Sequence, residues 1–370
     1  MMVRAIIKKI LRKYQKAVFF AASPFISNTA TLNQEQACEL LNRCSLRPGG
    51  TATLVNNQLT EAPSYDIQII IPAYNVEKYL ADCMDSVLNQ KTQYSYHVIL
   101  IDDGSTDQTP AIADRYKDDS RVTVIHQENK GFSGARNTGL SKLNARYIMF
   151  VDSDDMLCEN AIESLLSTAF DNDCDVVEGG AYLLCEDQTS IEFSYAQKQG
   201  LPSAHNKLHG QPWAKIYKAH LFEHLCYPEG FWYEDSILSF FIWPVAQRVF
   251  VIPEMVYYYR VNPTGISSNA YGKSKSIDTY WVTEQLTIEK SKTKLPFDDV
   301  AFKQFQTQII INQHRASHMP LEIQESIFVL TRQLVLTYFP NDIIQNNKDI
   351  LTKAILDNNF GVYKAYCRLN

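Results

Sequence analysis

The chain has 370 residues, 45% hydrophobic and 12% aromatic, with a formal net charge of −6. That length exceeds what one hydrophobic core usually fills, so a catalytic-sized domain with one or two smaller pieces is expected. The acidic balance gives no reason to expect a nucleic-acid partner. The eight cysteines include no Cys-x-x-Cys pair, which argues against a zinc site or a disulfide framework and suits a reducing compartment.

From Met1 to Phe25, Ile6, Ile7, Ile10, Leu11, Tyr14 and Val18 recur at helical spacing against Arg4, Lys8, Lys9, Arg12, Lys13 and Lys16. This predicts a basic amphipathic helix lying on an anionic membrane surface; docking to the protein itself or to a partner is the competing reading. Lys16 leaves too short an apolar core for a signal peptide, and no run of about 18 apolar residues occurs anywhere. The expectation is a cytoplasmic protein, peripheral on the inner face of the cell membrane. A short helix near Gln34 to Cys44 and a polar linker with Pro48-Gly49-Gly50 complete a first piece, residues 1–65.

Ile67 to Pro72 then reads as a buried strand, with Asn75 offered as the N-cap of a helix whose apolar face is Leu80, Cys83, Met84, Val87 and Leu88. Tyr96 to Ile101 is a second strand, Thr109-Pro110 opens a helix, Val122 to His126 is a third strand, a helix starts near Ser133, and Tyr147 to Val151 is a fourth strand. This alternation predicts an α/β fold: a doubly wound, mostly parallel sheet with helices on both faces.

Function in such a sheet gathers at the carboxyl ends of strands. The first strand ends in Pro72-Ala73-Tyr74-Asn75, with a ring able to stack on a base. The second ends in Asp102 and Asp103, able to accept hydrogen bonds from a uracil N–H or from ribose hydroxyls. After the fourth come Asp152, Asp154 and Asp155 around Ser153 with no lysine or arginine beside them, which suits a divalent cation; alone, such a cluster would read as a solvated acidic turn. Together they describe a pocket for a nucleoside diphosphate held through a cation. Neither GxxxxGK[ST] nor GxGxxG follows the first strand, so P-loop and dinucleotide readings lose their support.

The series IIIPAYNVEKYL, DSVLNQ, VILIDDGSTDQT, HQENKGFSGARNTGL and YIMFVDSDD resembles the nucleotide-sugar domain of family 2 glycosyltransferases with the GT-A fold. It runs unbroken from about Ile67 to Ile162 and continues more weakly through Trp213 to Tyr217 and Tyr233 to Phe240. The resemblance implies a UDP-sugar donor and a Mn²⁺ or Mg²⁺ ion on Asp154. It places Pro72 and Tyr74 at the nucleobase, Asp103 on uracil with Asp102 beside it, and Asp152 at the sugar or ribose, with Ser153 between the two aspartates of the motif. Arg136 and Asn137 fall in the family's Ala-Arg-Asn segment, where fold support competes with nucleotide binding. Asp235 matches the catalytic base, with Glu234 its neighbour.

One carboxylate base and in-line attack give inversion at the anomeric carbon. Trp232 and Tyr233 precede a helical pattern and are acceptor candidates, with Trp213 and Lys215 on the same side, whereas Phe240, Phe241 and Trp243 lie inside that pattern and suit the core. Val249 to Ile252 is strand-like, Met255 to Val261 follows it, and Asn262 to Ser268 is loop chemistry; Arg260 either approaches the diphosphate on closure or serves as a sheet-edge arginine. The Gln-x-x-Arg-Trp motif of processive synthases is absent, so one sugar or a few are added per encounter. These readings delimit a catalytic domain at 66–265 and a helical C-terminal module at 266–370. In that module His314 and His318 read as a surface pair, and acceptor specificity, a partner contact or a homo-oligomer interface stay open.

The expected function is a metal-dependent inverting glycosyltransferase acting on a lipid-linked, glycan or protein acceptor in cell-surface glycan assembly. A nucleotidyltransferase would need a glycine-rich basic loop where Pro72 to Lys78 stands. A catalytically silent nucleotide-sugar-binding scaffold would lack the Glu-Asp pair or the metal aspartates, and both are present.

Overall fold

A computed structural model describes residues 28–50, 53–55, 57, 62–185, 208–262 and 272–370, the isolated positions 19, 23, 265 and 270, and the backbone of 190–193. Apart from positions 19 and 23, the predicted helix over Met1 to Phe25 lies outside the described residues. Among the described residues no helix is long and apolar enough to cross a membrane. The chain forms two units, one of Gly49–Pro263 and one of Met1–Pro48 with Thr264–Asn370.

In the second of these units the first described helix, α1 (Gln34–Cys44), carries a reciprocal cap: the Asn33 side chain accepts from Gln36 N at 2.9 Å, and the Gln36 side chain accepts from Asn33 N at 3.0 Å.

In the larger unit, β1 (Tyr65–Ala73) pairs in parallel with β2 (Tyr96–Asp102) on one side and β4 (Ala145–Phe150) on the other, and β3 (Val122–His126) extends the β2 side. Ile67, Ile69 and Ile71 project to one face. There they pack with Leu80, Cys83, Met84 and Val87 of α2 (Leu80–Leu88), with Ile112 of α3 (Thr109–Asp114), and with Leu165 and Leu166 of α5 (Ala161–Asn172). Ile70 projects to the other face against α4 (Gly131–Leu140). Gly139 lets that helix ride close, since a Cβ there would lie 2.5 Å from Ile70 Cγ2.

The chain winds outward from β1 through β2 to β3, then returns to the opposite flank of β1 as β4. The winding reverses between β1 and β4, and a crevice opens at their carboxyl ends.

Beyond β4 the sheet is mixed. β8 (Lys215–Lys218) runs antiparallel between β4 and β6 (Val176–Leu184), while β9 (Val249–Arg260) is parallel to β6. β5 (Met156–Leu157) pairs antiparallel with β9, and β7 (Ser190–Phe193) with β6. The strand expected at Val249 to Ile252 continues through Pro253 to Arg260.

Asn75 does not cap α2, which begins five residues later behind Tyr79. Its backbone is left-handed at φ 50°, and its side chain accepts instead from Thr106 N at 2.8 Å, tying the β1 exit to the β2 exit.

The smaller unit continues with α6 (Asp278–Ser291), α7 (Asp299–Arg315), α8 (Leu321–Tyr338), α9 (Asn341–Asn346), α10 (Ile350–Leu356) and α11 (Phe360–Leu369). Ile327, Phe328 and Val335 of α8 are buried, as are Ala37 and Leu41 of α1. Thr279 and Thr283 of α6 share hydrogen bonds with the buried Asn312 of α7 at 2.7 and 2.9 Å, a satisfied polar contact inside an apolar layer. His314 and His318 are both exposed, and His318 lies past the end of α7, so they share no helix face.

Candidate active site

At the carboxyl ends of β1 and β4 lies a cavity of about 260 Å³. Pro72 and Tyr74 from the first strand end, Asp103 from the second, and Asp152, Ser153 and Asp154 from the fourth all line it, with the first turns of α4 as the remaining wall. These expected residues are separated by up to 82 positions in the chain and meet because the winding reverses there. Tyr74 is 49% exposed and lines the cavity, so its ring is available for a flat ligand to stack on.

The two aspartates that end β2 differ in surroundings. Asp103 is 2% exposed; its Oδ1 accepts from Gln127 Nε2 at 2.6 Å and from Lys130 N at 2.9 Å, whereas its buried Oδ2 has no hydrogen-bond partner among the described residues. Burial raises its pKa above the ordinary carboxylate value, against the pull of those bonds. Asp102 turns the other way: Oδ2 meets His126 Nδ1 at 2.8 Å and Oδ1 accepts from Ser105 N at 3.1 Å. Asp102 is not among the cavity-lining residues. Its hydrogen bond, followed by that from Asp114, holds the His126 pKa above its usual value.

The three carboxylates after β4 divide their work. Asp155 is buried; its Oδ2 accepts from the Tyr257 hydroxyl at 2.9 Å and its Oδ1 from Arg260 N at 2.7 Å. That hydroxyl in turn accepts from Asp152 N at 3.1 Å, so the acidic loop is fastened to β9. Arg260 adds a bond from Nε to the Asp154 carbonyl at 2.8 Å, and its guanidinium lies over Tyr79 at 4.7 Å, outside the cavity lining. Asp154 faces the cavity and accepts from Asn262 Nδ2 at 3.2 Å. Burial, then Asp152, raise its pKa.

Among the described residues no group of three or more His, Cys, Asp and Glu side chains could enclose a cation. One or two carboxylates are nonetheless what an ion of the Mg²⁺ type takes from a protein when a nucleotide's phosphates supply further oxygens. Asp154, pressed by its neighbour's charge and open to the cavity, fits that requirement; Asp152 is shared with a cation of the protein itself.

That cation is Arg136, in the second turn of α4 and 5% exposed. Its Nη2 donates to Asp152 Oδ1 at 2.8 Å and its Nη1 donates to Glu234 Oε1, while the guanidinium lies 5.4 Å from the Tyr227 ring centre. The two carboxylates overcome the cost of burial and raise its pKa. Asn137 next to it holds the backbone of Tyr227, accepting from its N at 2.7 Å and donating to its O at 2.9 Å. The Ala-Arg-Asn segment therefore braces the segment running from Tyr227 to Glu234.

Tyr233 is left-handed at φ 67°, uncommon for a bulky residue, and introduces a short 3₁₀ turn, Glu234–Ser236. Glu234 is 7% exposed; burial pushes its pKa up to about 7 against the opposing charge of Arg136, with Asp235 adding to the rise. Asp235, beside it, is partly exposed, as are Trp232 and Tyr233. Phe240, Phe241 and Trp243 are buried in the helical turns that follow.

Trp213 is 6% exposed and stacks on Tyr257 and Tyr259 at 4.9 and 5.2 Å. Lys215 is also buried, 3.4 Å from Glu178 and donating to Gln211 O at 2.9 Å; burial lowers its pKa. Tyr257 and Asn262 were not singled out from the sequence. Aromatic residues such as Tyr257-Tyr258-Tyr259 suit a strand, but nothing local couples that strand to a loop a hundred residues upstream.

The sequence model of "Glycosyl transferase family 2" matches residues 68–222. Glycosyltransferase GlyA of Streptococcus pneumoniae serotype 4 is 33% identical over 218 residues, 54% of this chain and 31% of GlyA. Glycosyltransferase GlyG of the same organism is 32% identical over 212 residues, 52% of this chain and 70% of GlyG. Among solved structures, S. aureus TarS 1-349 in complex with UDP-GlcNAc superimposes with a TM-score of 0.64 at 20% identity, over 81% of this chain and 89% of TarS 1-349.

Proposed function

Because the chain belongs to glycosyltransferase family 2, we propose that it moves a sugar from a UDP-sugar to a hydroxyl of a lipid-linked, glycan or protein acceptor in cell-surface glycan assembly. The observation that carries the donor assignment is the pairing, in one cavity, of a stacking ring and a buried carboxylate oxygen without a partner among the described residues, Tyr74 and Asp103 Oδ2, with the acidic loop. Uracil presents a flat face for the ring and an imide N–H for that oxygen. TarS, which has the same fold, is solved with UDP-GlcNAc, which supports the choice of uracil.

Asp154, with Asp152 beside it, would hold a Mn²⁺ or Mg²⁺ ion, which when bound neutralises charge growing on the departing nucleoside diphosphate. Asp235 takes the proton of the acceptor hydroxyl. Of the Glu-Asp pair it is the more accessible, since Glu234 is buried against Arg136. One base and one displacement invert the anomeric centre. Pro72 and Ser153 shape the cavity wall, and Trp232 and Tyr233 stand before the catalytic turn where an acceptor sugar could stack. Residues 1–25, read from sequence alone, suit work at an anionic membrane on lipid-linked substrates.

The test is turnover of UDP-glucose, UDP-galactose and their N-acetylated forms with Mn²⁺, Mg²⁺ or chelator. Turnover that ignores chelator removes the metal. Tight UDP binding with no turnover of any donor and no transfer to any acceptor favours the silent scaffold.

A further inference from the structure

One guanidinium stands between two carboxylates that belong to different halves of the reaction. Arg136 donates through Nη2 to Asp152, a wall of the donor cavity, and through Nη1 to Glu234, which does not line that cavity and lies next to Asp235. The bond to Glu234 is sheltered, with the Arg136 side chain 6% and the Glu234 side chain 9% exposed, whereas Asp152 is 30% exposed and open to the cavity. Arg136 and the preceding residue, Ala135, both line the cavity, and the following one, Asn137, pins Tyr227 at the start of the segment that ends in Glu234. A single helical turn thus touches donor wall, bridge and acceptor-side segment in three successive residues.

We infer that Arg136 is a positioning residue that couples donor binding to the placement of the Glu234-Asp235 turn, by dividing one fixed charge between Asp152 and Glu234. The inference rests on the donor reading of the cavity. Its physical basis is that a planar guanidinium presents separate N–H groups in a fixed geometry, so that Nη1 and Nη2 each hold one carboxylate at a set distance from the other. When Glu234 loses its charge, Arg136 pairs more strongly with Asp152. That carboxylate is then less available to a donor and its counter-ion, so donor affinity falls through a residue the donor does not touch. In the other direction, a donor that engages Asp152 leaves more of the guanidinium to Glu234 and tightens the turn that carries the base. Reciprocity is required of any such coupling.

The experiment is calorimetric titration of UDP with Mn²⁺ at pH 8, where Glu234 is ionised, into the full chain, Glu234→Gln, Arg136→Met and the double variant. Glu234→Gln keeps shape and an acceptor for the guanidinium. It is expected to weaken UDP at least threefold, and the same change in the Arg136→Met background is expected to have no effect. An unchanged dissociation constant in Glu234→Gln, or the same weakening with and without Arg136, overturns the coupling. If Arg136→Met fails to fold, Arg136→Gln serves as the background for the same comparison. Wild-type chain that binds no UDP overturns the donor reading and this inference with it; wild-type binding matched by Glu234→Gln overturns the inference alone.

Discussion

Replacing Asp103 by asparagine separates the two oxygens of one carboxylate. Oδ1 already accepts from Gln127 Nε2 and Lys130 N, and an asparagine Oδ1 keeps both bonds; only the buried Oδ2 becomes an NH₂. In the unliganded chain that exchange removes a charged oxygen for which no partner is found among the described residues, and whose burial raises the pKa of the group, so stability should hold or rise. With uracil bound, a donor would face the imide N–H. A hydrogen bond to a charged group contributes about 1.5–3 kcal/mol, so UDP should bind roughly 10- to 150-fold more weakly. Calorimetry with UDP and Mn²⁺ measures the affinity and thermal melting without ligand measures the stability. UDP affinity within about threefold of wild type would refute the assignment of Oδ2 to the base. A melting temperature several degrees lower would mean that the carboxylate serves the fold.

Asp235→Asn should lower transfer by about 10² or more while leaving UDP affinity unchanged, whereas Asp154→Asn should lower both; normal transfer by Asp235→Asn would place the base elsewhere. Gly139→Ala sets a methyl 2.5 Å from Ile70 Cγ2 and should cost about 1–3 kcal/mol by overpacking, read as a lower chemical-denaturation midpoint; an unchanged midpoint would mean that α4 can lift off β1 at little cost. Glu234, at about 7 when folded against an ordinary 4.5, favours the folded state fully below pH 4.5, and that contribution is lost as pH rises through about 7. The melting temperature of wild type minus that of Glu234→Gln should therefore fall between pH 5 and 8; a difference that grows would reverse the sign of the argument.

The first four strands were legible because their signals are local. Apolar runs such as Ile67 to Ile71 end in turn residues, and the helices between them repeat at three and four. The cavity was legible for a related reason: parallel strands deliver their last residues to one edge, so three strand ends named most of its walls. What stayed hidden depends on pairing at long range. β8 is four residues whose antiparallel direction is set by its neighbours. Asp102 and Asp103 are adjacent letters, yet the strand pleat sends one toward His126 and the other toward the cavity. Trp213 reads as an acceptor-side residue in the sequence, and its stacking on Tyr257 and Tyr259 is set by strand pairing that no local signal shows. Arg136 left two roles open in the sequence, and only the fold that brings it against Glu234, 98 positions away, discloses the bridge.

The Asp155 latch bears on any attempt to exchange donor chemistry between relatives. Four consecutive letters, Asp152 to Asp155, look like a cassette that could be transplanted. Their shape is nevertheless imposed by a tyrosine hydroxyl and a backbone N–H more than a hundred positions downstream. A chimera that imports the acidic loop without the end of β9 would carry the spelling of the motif and lose its geometry, so productive crossover points lie outside both segments.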